Sequence, residues 1–373
     1  MTDLNRRNFL HATGSLVAGH AIAAKLPAES PNETINIGCI GVGGRGTSLL
    51  RNLLAVPGHT VRAICDTNPD HLKRAQKLVA DAGQPNPDGT DDWKKLLGRK
   101  DVDAVVSALP CDLHAANYLD VIAAGKDLYG EKPMCITAAD CDAVVAAAKK
   151  SRRIVQIGFQ RRSDPRFIET IKQVHDGELG PLVEGRIIWS NSWGPLHGWF
   201  GLRKRSGDWM VEQAVHNWDV MNWANNCRPQ QAVGLGRCDL FREKQPERDV
   251  HDYYSAVVEY ENRVIVNIIH SWIAPNKFNE EFTRLIGTTG GIDFNSGTFS
   301  YRPKFKKKDR AGHTHEGDIN STKLALENFL KSVRTRTQPV ATVDHGRDAV
   351  LACLLVRHAV YTKKAVQLED LRA

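Results

Sequence analysis

The sequence predicts two domains of different architecture: a doubly wound parallel α/β sheet, then an α+β domain with an open, mostly antiparallel sheet and helices. Short apolar runs alternate strictly with helical patterns over residues 34–158, as in successive βαβ units. Over residues 159–373 the pattern changes to one helix followed by longer β-rich runs. The 373 residues also exceed what one hydrophobic core usually supports, which favours two domains.

The alternation in the first domain predicts five strands and four helices. The predicted strands are Ile35–Ile40, Val61–Cys65, Val102–Ala108, Leu128–Tyr129 and Ile154–Phe159, and the predicted helices are Leu49–Val56, Leu72–Ala80, Leu113–Ala124 and Ala138–Lys149.

The second domain is predicted to hold a sheet of about five strands or more. A helix near Pro165–His175 precedes it, and the last two helices, Ser321–Val333 and Gly346–Thr362, are free to pack back on the first domain. The predicted strands are Val183–Ser190, Ala232–Leu240, Tyr253–Tyr260, Val264–Trp272 and Phe282–Ile286.

Residues 1–33 are predicted to be an export signal and a linker. Arg6 and Arg7 begin it, a weakly apolar stretch runs from His11 to Ala24, and Ala21-Ile22-Ala23 offers a cleavage site of small residues. Paired arginines favour the twin-arginine route, which exports folded proteins, so a periplasmic or otherwise exported location is expected. The alternative is an uncleaved amphipathic arm.

Composition argues against several classes of function. Lys and Arg outnumber Asp and Glu by 50 to 43, and this mild excess is no signature of nucleic-acid binding. No run beyond the leader is long and apolar enough for membrane insertion, so the processed protein is expected to be soluble. No metal site is predicted, because neither the eight cysteines nor the His313-x-His315 pair offers a full ligand set at fixed spacing.

The first chemical motif is the loop Gly41-Val42-Gly43-Gly44-Arg45-Gly46, which lies between the first strand and the first helix. Gly41 permits the tight turn, Gly43 permits backbone approach to a pyrophosphate, and Gly46 permits close helix packing. Asp66 ends the second strand twenty residues later, where a carboxylate would bind the ribose 2′-hydroxyl and repel a 2′-phosphate. The motif therefore predicts NAD as cofactor.

Two further segments follow later strands of the parallel sheet. One runs from Ala108 to His114 and includes Pro110, and the other is Glu131-Lys132-Pro133. Open α/β sheets bind ligands at the carboxyl ends of their strands, so Pro110, His114, Glu131 and Lys132 are further candidate cofactor contacts.

A third segment, from Gly207 to Asp219, is predicted to be helical. Glu212, His216 and Asp219 stand at positions i, i+4 and i+7, so they would share one helix face. A core histidine paired with Glu212 is the structural alternative.

With these motifs the chain, from about residue 34 onward, resembles the glucose-fructose oxidoreductase / inositol dehydrogenase / MocA family. The segment AAGKDLYGEKPM resembles the lysine motif of that family, and VQIGFQRRSDPRF resembles the segment that enters its second domain. The resemblance implies that Lys132 lies at the nicotinamide and the substrate. It also implies that Glu212 and His216 match the D-x-x-x-H element of the active site, with a glutamate in place of the aspartate.

Such residues suit the oxidation of a secondary alcohol, in which a hydride goes to the nicotinamide and a base takes the hydroxyl proton. His216 is the first candidate for the base. Lys132 would polarise the oxygen, or act as the base itself if burial lowers its pKa. Glu212 would orient and tune the imidazole.

Seven of the eight tryptophans lie between Trp189 and Trp272. Aromatic faces stack on sugar rings, so a carbohydrate or cyclic polyol is the expected substrate, while core filling is the alternative for about half of them. The candidate substrate contacts are Arg161, Arg162, Trp193, His197, Trp209 and Asp219.

Three functions remain open at this point. The first is a sugar or polyol oxidoreductase that keeps its NAD and reoxidises it with a second substrate. The second is an exported glycosidase or lyase that uses NAD transiently, as some exported proteins of the resembled family do. A non-catalytic sugar-binding protein is disfavoured by the presence of both Lys132 and His216. The open sheet has a face to bury, which favours a homo-oligomer, a dimer or a tetramer.

Overall fold

The computed structural model describes residues 34–194, 196 and 198–372, which form two β-sheets surrounded by helices. The predicted leader at 1–33 and the candidate residue His197 lie outside the described residues. The first sheet has six parallel strands, and the second has nine strands that are mostly antiparallel. The predicted fold class is therefore confirmed.

The first sheet has the strand order of a Rossmann fold, β3-β2-β1-β4-β5-β6. All strands run parallel, and the order in which they are added to the sheet changes side between β1 and β4. Ligands of such sheets bind at the carboxyl ends of the strands beside that change of side. Its elements are β1 (Ile35–Ile40), α1 (Gly44–Leu54), β2 (His59–Cys65), α2 (Pro69–Asp81), β3 (Asp88–Thr90), α3 (Trp93–Leu97), β4 (Ala104–Ser107), α4 (His114–Ala123), β5 (Asp127–Gly130), α5 (Ala138–Ser151) and β6 (Val155–Ile157).

The second sheet has the order β14-β13-β12-β11-β7-β10-β9-β8-β15, in which β7 and β10 run parallel to each other. Its strands and nearby helices are α6 (Pro165–His175), β7 (Leu182–Ser190), α7 (Arg203–Ser206), α8 (Trp209–Glu212), α9 (Val215–Asn225), β8 (Pro229–Arg237), β9 (Tyr253–Tyr260), β10 (Ile265–Ser271), β11 (Glu280–Gly287), β12 (Gly290–Asp293), β13 (Thr298–Tyr301), β14 (Arg310–Ala311) and β15 (Val366–Gln367).

The last two helices, α10 (Ser321–Thr335) and α11 (Val343–Thr362), connect the two sheets. The apolar face of α10, with Leu326 and Phe329, packs in the same core as β1 and α1. Gln156 on β6 donates a hydrogen bond of 2.8 Å to the carbonyl of Ala325 on α10. α11 lies in a second core that residues of both sheets share. The joint between the domains is therefore a packed core.

The prediction of one helix across Gly207–Asp219 is wrong, because the chain forms α8 and α9 with an irregular turn between them. Ala214 donates to the carbonyl of Trp209, five residues back, and His216 donates to that of Gln213, three residues back. Both bonds depart from the four-residue pattern of an α-helix. The spacing of Glu212 and His216 therefore no longer places them on one helix face.

Three further observations concern membrane helices, cysteines and metal ligands in the described part of the chain. None of its helices is both long and apolar enough to cross a membrane. Six of the eight cysteines are buried, and Cys227 and Cys238 are half-buried. No cluster of three candidate metal ligands occurs among the described residues.

Candidate active site

The glycine loop joins β1 to α1 in the form that a dinucleotide requires. Gly41 has φ +74°, a conformation that L side chains rarely adopt, and its N–H donates to the carbonyl of Cys65 on β2. A Cβ atom at Gly46 would overlap the carbonyl oxygen of Gly41. Only glycine at position 46 therefore allows α1 to start this close to the strand.

The start of α1 fits a pyrophosphate. Gly43 caps the helix without any side-chain hydrogen bond, and the first turn contains no acidic residue. A Cβ atom at Gly44 would meet nothing within 4 Å, so open space lies in front of the helix. Uncapped N–H groups and the positive end of the helix dipole are what such a phosphate site needs.

Asp66 lies directly after β2 and beside the loop. Its Oδ2 accepts a hydrogen bond of 2.8 Å from the N–H of Val42, and its Oδ1 accepts one of 2.9 Å from Asn68. The Nδ1 atom of His71 stands 3.2 Å from the same Oδ1. These contacts fix the carboxylate where the sequence predicts contact with the ribose.

Arg45 joins the glycine loop to the Glu131-Lys132-Pro133 segment. Its guanidinium lies 2.8 Å from Oε1 of the buried Glu131, whose Oε2 accepts a hydrogen bond of 3.1 Å from the N–H of Lys132. Pro110 precedes the short turn that follows β4, where its carbonyl accepts from Leu113. Two motifs that are 86 residues apart are thus in direct contact.

His114 is buried at the start of α4, and both ring nitrogens face backbone carbonyls. Nδ1 stands 2.6 Å from the oxygen of Pro133, and Nε2 stands 2.8 Å from that of Leu109. The imidazole therefore supports the segment that carries Lys132, and we assign it this positioning role in place of a direct cofactor contact.

Lys132 is held by Glu212 from the second domain. Its Nζ donates to Oε1 of Glu212 at 2.8 Å and to the carbonyl of the same residue at 2.7 Å. Burial alone would lower the pKa of Lys132, but the charges of Glu212 and Glu131 outweigh it and raise the pKa. The ammonium form is favoured, which opposes the alternative in which burial makes this lysine a base.

Glu212 therefore acts on Lys132, although the sequence reading paired it with His216. The break between α8 and α9 explains the difference, because Glu212 ends one helix and His216 lies in the first turn of the next.

His216 is half-buried, and its Nδ1 is enclosed without a hydrogen-bond partner among the described residues. Burial lowers its pKa well below the usual value, and the charges of Lys132, Arg161 and Arg45 lower it further. The imidazole is therefore neutral at physiological pH, and the charge of Lys132 contributes to its lowered pKa.

Asp208 is a site residue that sequence reasoning missed. It caps α8 and has φ +87° with ψ 158°, a backbone conformation found almost only in glycine. Its buried carboxylate accepts a hydrogen bond of 2.5 Å from the hydroxyl of Tyr361 on α11. Arg357, one turn earlier on α11, donates to the carbonyl of Gly207 at 2.7 Å. α11 thus fixes the start of the segment that delivers Glu212 to Lys132.

The signal for this arrangement was only partly present in the sequence. An aspartate before Trp209-Met210-Val211-Glu212 is a helix-cap pattern that was visible. Nothing local to the C-terminal helix pointed to Tyr361 or Arg357, since their partners lie about 150 residues earlier.

Arg161 remains at the site and is paired. Its Nη2 donates to Oε1 of Glu281 at 2.8 Å, and its buried Nη1 has no partner among the described residues. Because Arg45, Lys132 and Arg161 each contact a glutamate, the three site cations are neutralised by protein carboxylates.

Arg162 and Asp219 pair with each other. The Nε atom of Arg162 stands 2.9 and 3.0 Å from the two carboxylate oxygens, and both side chains are buried. We therefore assign this pair to support of the second domain and no longer place it at the substrate.

The two candidate tryptophans differ in exposure. Trp193 is 59% exposed and packs on Trp272 with ring centroids 5.3 Å apart, so it suits a pocket rim. Trp209 is fully buried behind Trp272, with centroids 4.1 Å apart, so it fills the core instead.

Two domain families match consecutive parts of this chain. The one described as "Oxidoreductase family, NAD-binding Rossmann fold" matches residues 35–159. The one described as "GFO/IDH/MocA C-terminal domain" matches residues 167–293. The N-terminal part is therefore an NAD-binding domain, and the glycine loop and Asp66 fit that cofactor.

Individual relatives agree with these matches. An inositol 2-dehydrogenase of Acidothermus cellulolyticus is 32% identical over 241 residues, which are 64% of this chain and 66% of the relative. A glycosyl hydrolase family 109 protein of Saccharopolyspora erythraea is 36% identical over 163 residues, 42% of this chain and 35% of the relative. The aligned segments thus span less than two thirds of either relative's length.

A solved structure with a similar fold is the aldose-aldose oxidoreductase of Caulobacter crescentus, complexed with glycerol. It is 20% identical, has a TM-score of 0.77, and the similarity covers 90% of this chain and 100% of that one. Together, the two family matches, the relatives and the shared fold show that the chain belongs to the GFO/IDH/MocA oxidoreductase family.

Proposed function

We propose that the protein oxidises a secondary hydroxyl of a neutral sugar or cyclic polyol with tightly held NAD. The observation that carries this proposal is the ammonium of Lys132, which Glu212 holds at the end of a strand of the NAD-binding domain. The charge of Lys132 also acts on the imidazole of His216, whose lowered pKa keeps it neutral. A neutral base and a fixed hydrogen-bond donor in one site are what alcohol oxidation requires.

Lys132 and His216 have different roles because the first is protonated and the second is neutral. Two of the three N–H groups of Lys132 are donated to Glu212, so one is left for the substrate oxygen. The imidazole of His216 takes the hydroxyl proton, and because Nδ1 is enclosed, Nε2 is the nitrogen left to accept it. NAD, when bound, accepts the hydride from the same carbon, which becomes a carbonyl.

The charge of the site supports a neutral substrate. Each site cation already has a carboxylate partner, so an added substrate anion would find no unpaired charge among Arg45, Lys132 and Arg161. The free Nη1 of Arg161 and the exposed ring of Trp193 supply one donor and one apolar face, which suit a polyol ring.

A second candidate function is glycoside cleavage through transient oxidation. The match to a glycosyl hydrolase family 109 protein, 36% identical over 163 residues, favours it specifically. In that cycle the carbonyl made by oxidation acidifies the adjacent C–H, the glycosidic bond is eliminated, water adds, and the hydride returns to the sugar. The same Lys132 and His216 would serve both functions.

One experiment separates the two functions. The purified protein is denatured and the supernatant is analysed for NAD(H) by mass spectrometry, and the native protein is then offered neutral sugars, polyols and aryl glycosides. Ketosugar formed in step with a reduced second sugar supports the first function, and glycoside cleavage without accumulated NADH supports the second. Absence of any bound or bindable nucleotide would overturn both.

We also propose that the protein is exported folded with its cofactor. Support comes from the order of Arg6-Arg7, an apolar stretch and small residues at the start of the chain. Replacing both arginines by lysine should keep the protein in the cytoplasm of a cell with the twin-arginine route, as cell fractionation would show. Unchanged export of the double variant would refute the route.

Finally, we propose that two copies pack through the open face of the second sheet. Val233 and Leu235 on β8 are 48% and 65% exposed, and Val257 on β9 stands opposite Val233. An apolar patch of this kind is usually covered by a partner. Leu235→Lys should shift the mass seen by light scattering to a smaller assembly, whereas Val183→Lys at the start of β7, 51% exposed, should not.

A further inference from the structure

A cavity of about 810 Å³ lies between the start of α5, the helix α7 and the end of α11. Its apolar walls are Ile136, Leu354 and Leu371. None of its lining residues is Lys132, Glu212 or His216, so it is separate from the active site. Its volume falls in the range of ordinary small-molecule sites.

The half-buried guanidinium of Arg357 lines this cavity without a carboxylate partner. Its Nη1 donates to the carbonyl of Gly207 at 2.7 Å, and no carboxylate among the described residues lies within ion-pair distance of it. Burial lowers the pKa of Arg357, and the charge of Asp208 offsets this only in part. The carboxylate of Asp208 already accepts a hydrogen bond from the hydroxyl of Tyr361. A half-buried cation whose hydrogen bonds go only to backbone carbonyls favours an external anion.

The other charged groups of the cavity strengthen this imbalance. Arg203 and Lys204 are exposed at its edge, and neither forms an ion pair within the described chain. The lining contains two acidic residues, and each carboxylate accepts a hydrogen bond from a backbone N–H. Asp249 accepts from Arg203, and Asp370 accepts from Gln367.

We propose that this cavity binds a small organic carboxylate with an apolar body. The carboxylate would lie on the Nε and Nη2 edge of Arg357, which can form two parallel hydrogen bonds to it. The apolar body would pack against Ile136, Leu354 and Leu371, and Lys204 would draw the anion to the opening.

The cavity is separate from the proposed catalytic residues, because its lining does not include Lys132, Glu212 or His216. Two lining residues, Arg357 and Tyr361, also support the segment leading to Glu212.

The test uses the full chain and phenylacetate as the probe, with neutral phenylacetamide and inorganic phosphate as comparisons, by titration calorimetry at low salt. Phenylacetate should bind with one site per chain and more weakly as salt rises, and phenylacetamide should not bind. Arg357→Met should weaken phenylacetate binding about tenfold or more. Lys204→Met should weaken it less, and Arg153→Met, at an exposed arginine outside the cavity, should leave it unchanged.

Because Arg357 also supports Gly207, its variant is first checked for folding, and Lys204→Met provides the test if it fails. Three outcomes would each overturn the proposal. These are equal binding of acid and amide, tighter binding of phosphate than of phenylacetate, and unchanged phenylacetate binding in both Lys204→Met and a folded Arg357→Met. Binding that persists in a variant without turnover, such as His216→Ala, separates this site from the catalytic one.

Discussion

The Nζ atom of Lys132, just after β5 of the NAD-binding sheet, lies 2.8 Å from Oε1 of Glu212, the last residue of α8 in the second domain. The two residues are 80 positions apart, and their side chains are 15% and 17% exposed. An ion pair shielded to this degree keeps much of its strength. The protonation state of the lysine therefore depends on a residue from the other domain.

Glu212→Gln should lower the pKa of Lys132, because burial would then act with less opposition. The reactive neutral amine would appear at lower pH, so reductive methylation of Lys132, followed by mass spectrometry, should start earlier on a pH scale. Turnover should fall about ten- to a hundredfold if the ammonium bond to the substrate is worth about 1.5–3 kcal/mol. Glu212→Asp keeps the charge and should fall between the two proteins; an unshifted methylation profile in Glu212→Gln would contradict this account.

His216→Ala should retain NAD and lose about a hundredfold or more in turnover, the usual contribution of a general base. NAD retention is measured by mass spectrometry of the denatured protein, and turnover is measured on the sugar that the screen identifies. The pKa of His216 is held well below 6.5, so wild-type turnover should lose no activity to this group between pH 6.5 and 8 and should fall only on the acid side. Wild-type turnover in the variant would remove His216 from the mechanism.

Local sequence signals predicted the parts of the structure that depend on neighbouring residues. The glycine loop, Asp66 and the strands of the first sheet follow from turn chemistry and from apolar runs, which are encoded within a few residues. The helix predicted over Ala138–Lys149 is α5, whose cap Thr137 accepts from the N–H of Asp140. The short strands β3 and β12 to β15 were not predicted, because two to four residues carry too little periodicity to detect.

The sequence could not predict hydrogen-bond partners that tertiary packing brings together. The four-residue spacing of Glu212 and His216 favoured one helix, but Gln213 breaks it, and the Oε1 atom of Gln213 lies 2.9 Å from Nε2 of buried His270 on β10. His114 looked like a cofactor contact because of its place after a strand, yet its ring is fixed between two carbonyls. In each case the deciding contact comes from outside the local motif.

Gly46→Ala and Gly44→Ala form a matched pair that tests the NAD loop. A methyl group at position 46 would overlap the carbonyl of Gly41, so the first variant should lose NAD binding and about 1–3 kcal/mol of stability. A methyl group at position 44 meets nothing, so the second should fold as well as the wild type. Unfolding in urea gives stability, and fluorescence titration gives NAD affinity. Equal stability of the two variants would argue against the close approach of α1 to β1.

Asp66→Asn should reduce the preference for NAD over NADP. The carboxylate is fixed by Val42 and Asn68 beside the loop, where it would accept from the ribose 2′-hydroxyl and repel a 2′-phosphate. The amide keeps the shape and removes the charge, so NADP affinity should rise while NAD affinity falls by about tenfold. Dissociation constants of both nucleotides for both proteins decide the matter, and an unchanged ratio would place the ribose elsewhere.

Tyr361→Phe should make the protein less stable in acid through Asp208. Burial by itself would raise the pKa of Asp208, but the nearby His251 and the hydrogen bond from the Tyr361 hydroxyl outweigh it and hold the pKa below its ordinary value of 3.8. A depressed carboxylate pKa adds stability that is present above about pH 3.8 and is lost as pH falls through the folded value. Without the Tyr361 hydroxyl the folded pKa of Asp208 rises, so the loss of stability begins at higher pH, and stability at pH 7 drops by about 1.5–3 kcal/mol.

Urea midpoints measured from pH 3 to 7 would show that the variant loses stability at a higher pH than the wild type. Parallel curves for the two proteins would mean that the hydroxyl does not stabilise the charged carboxylate, and α11 would then hold the Glu212 segment through Arg357 alone.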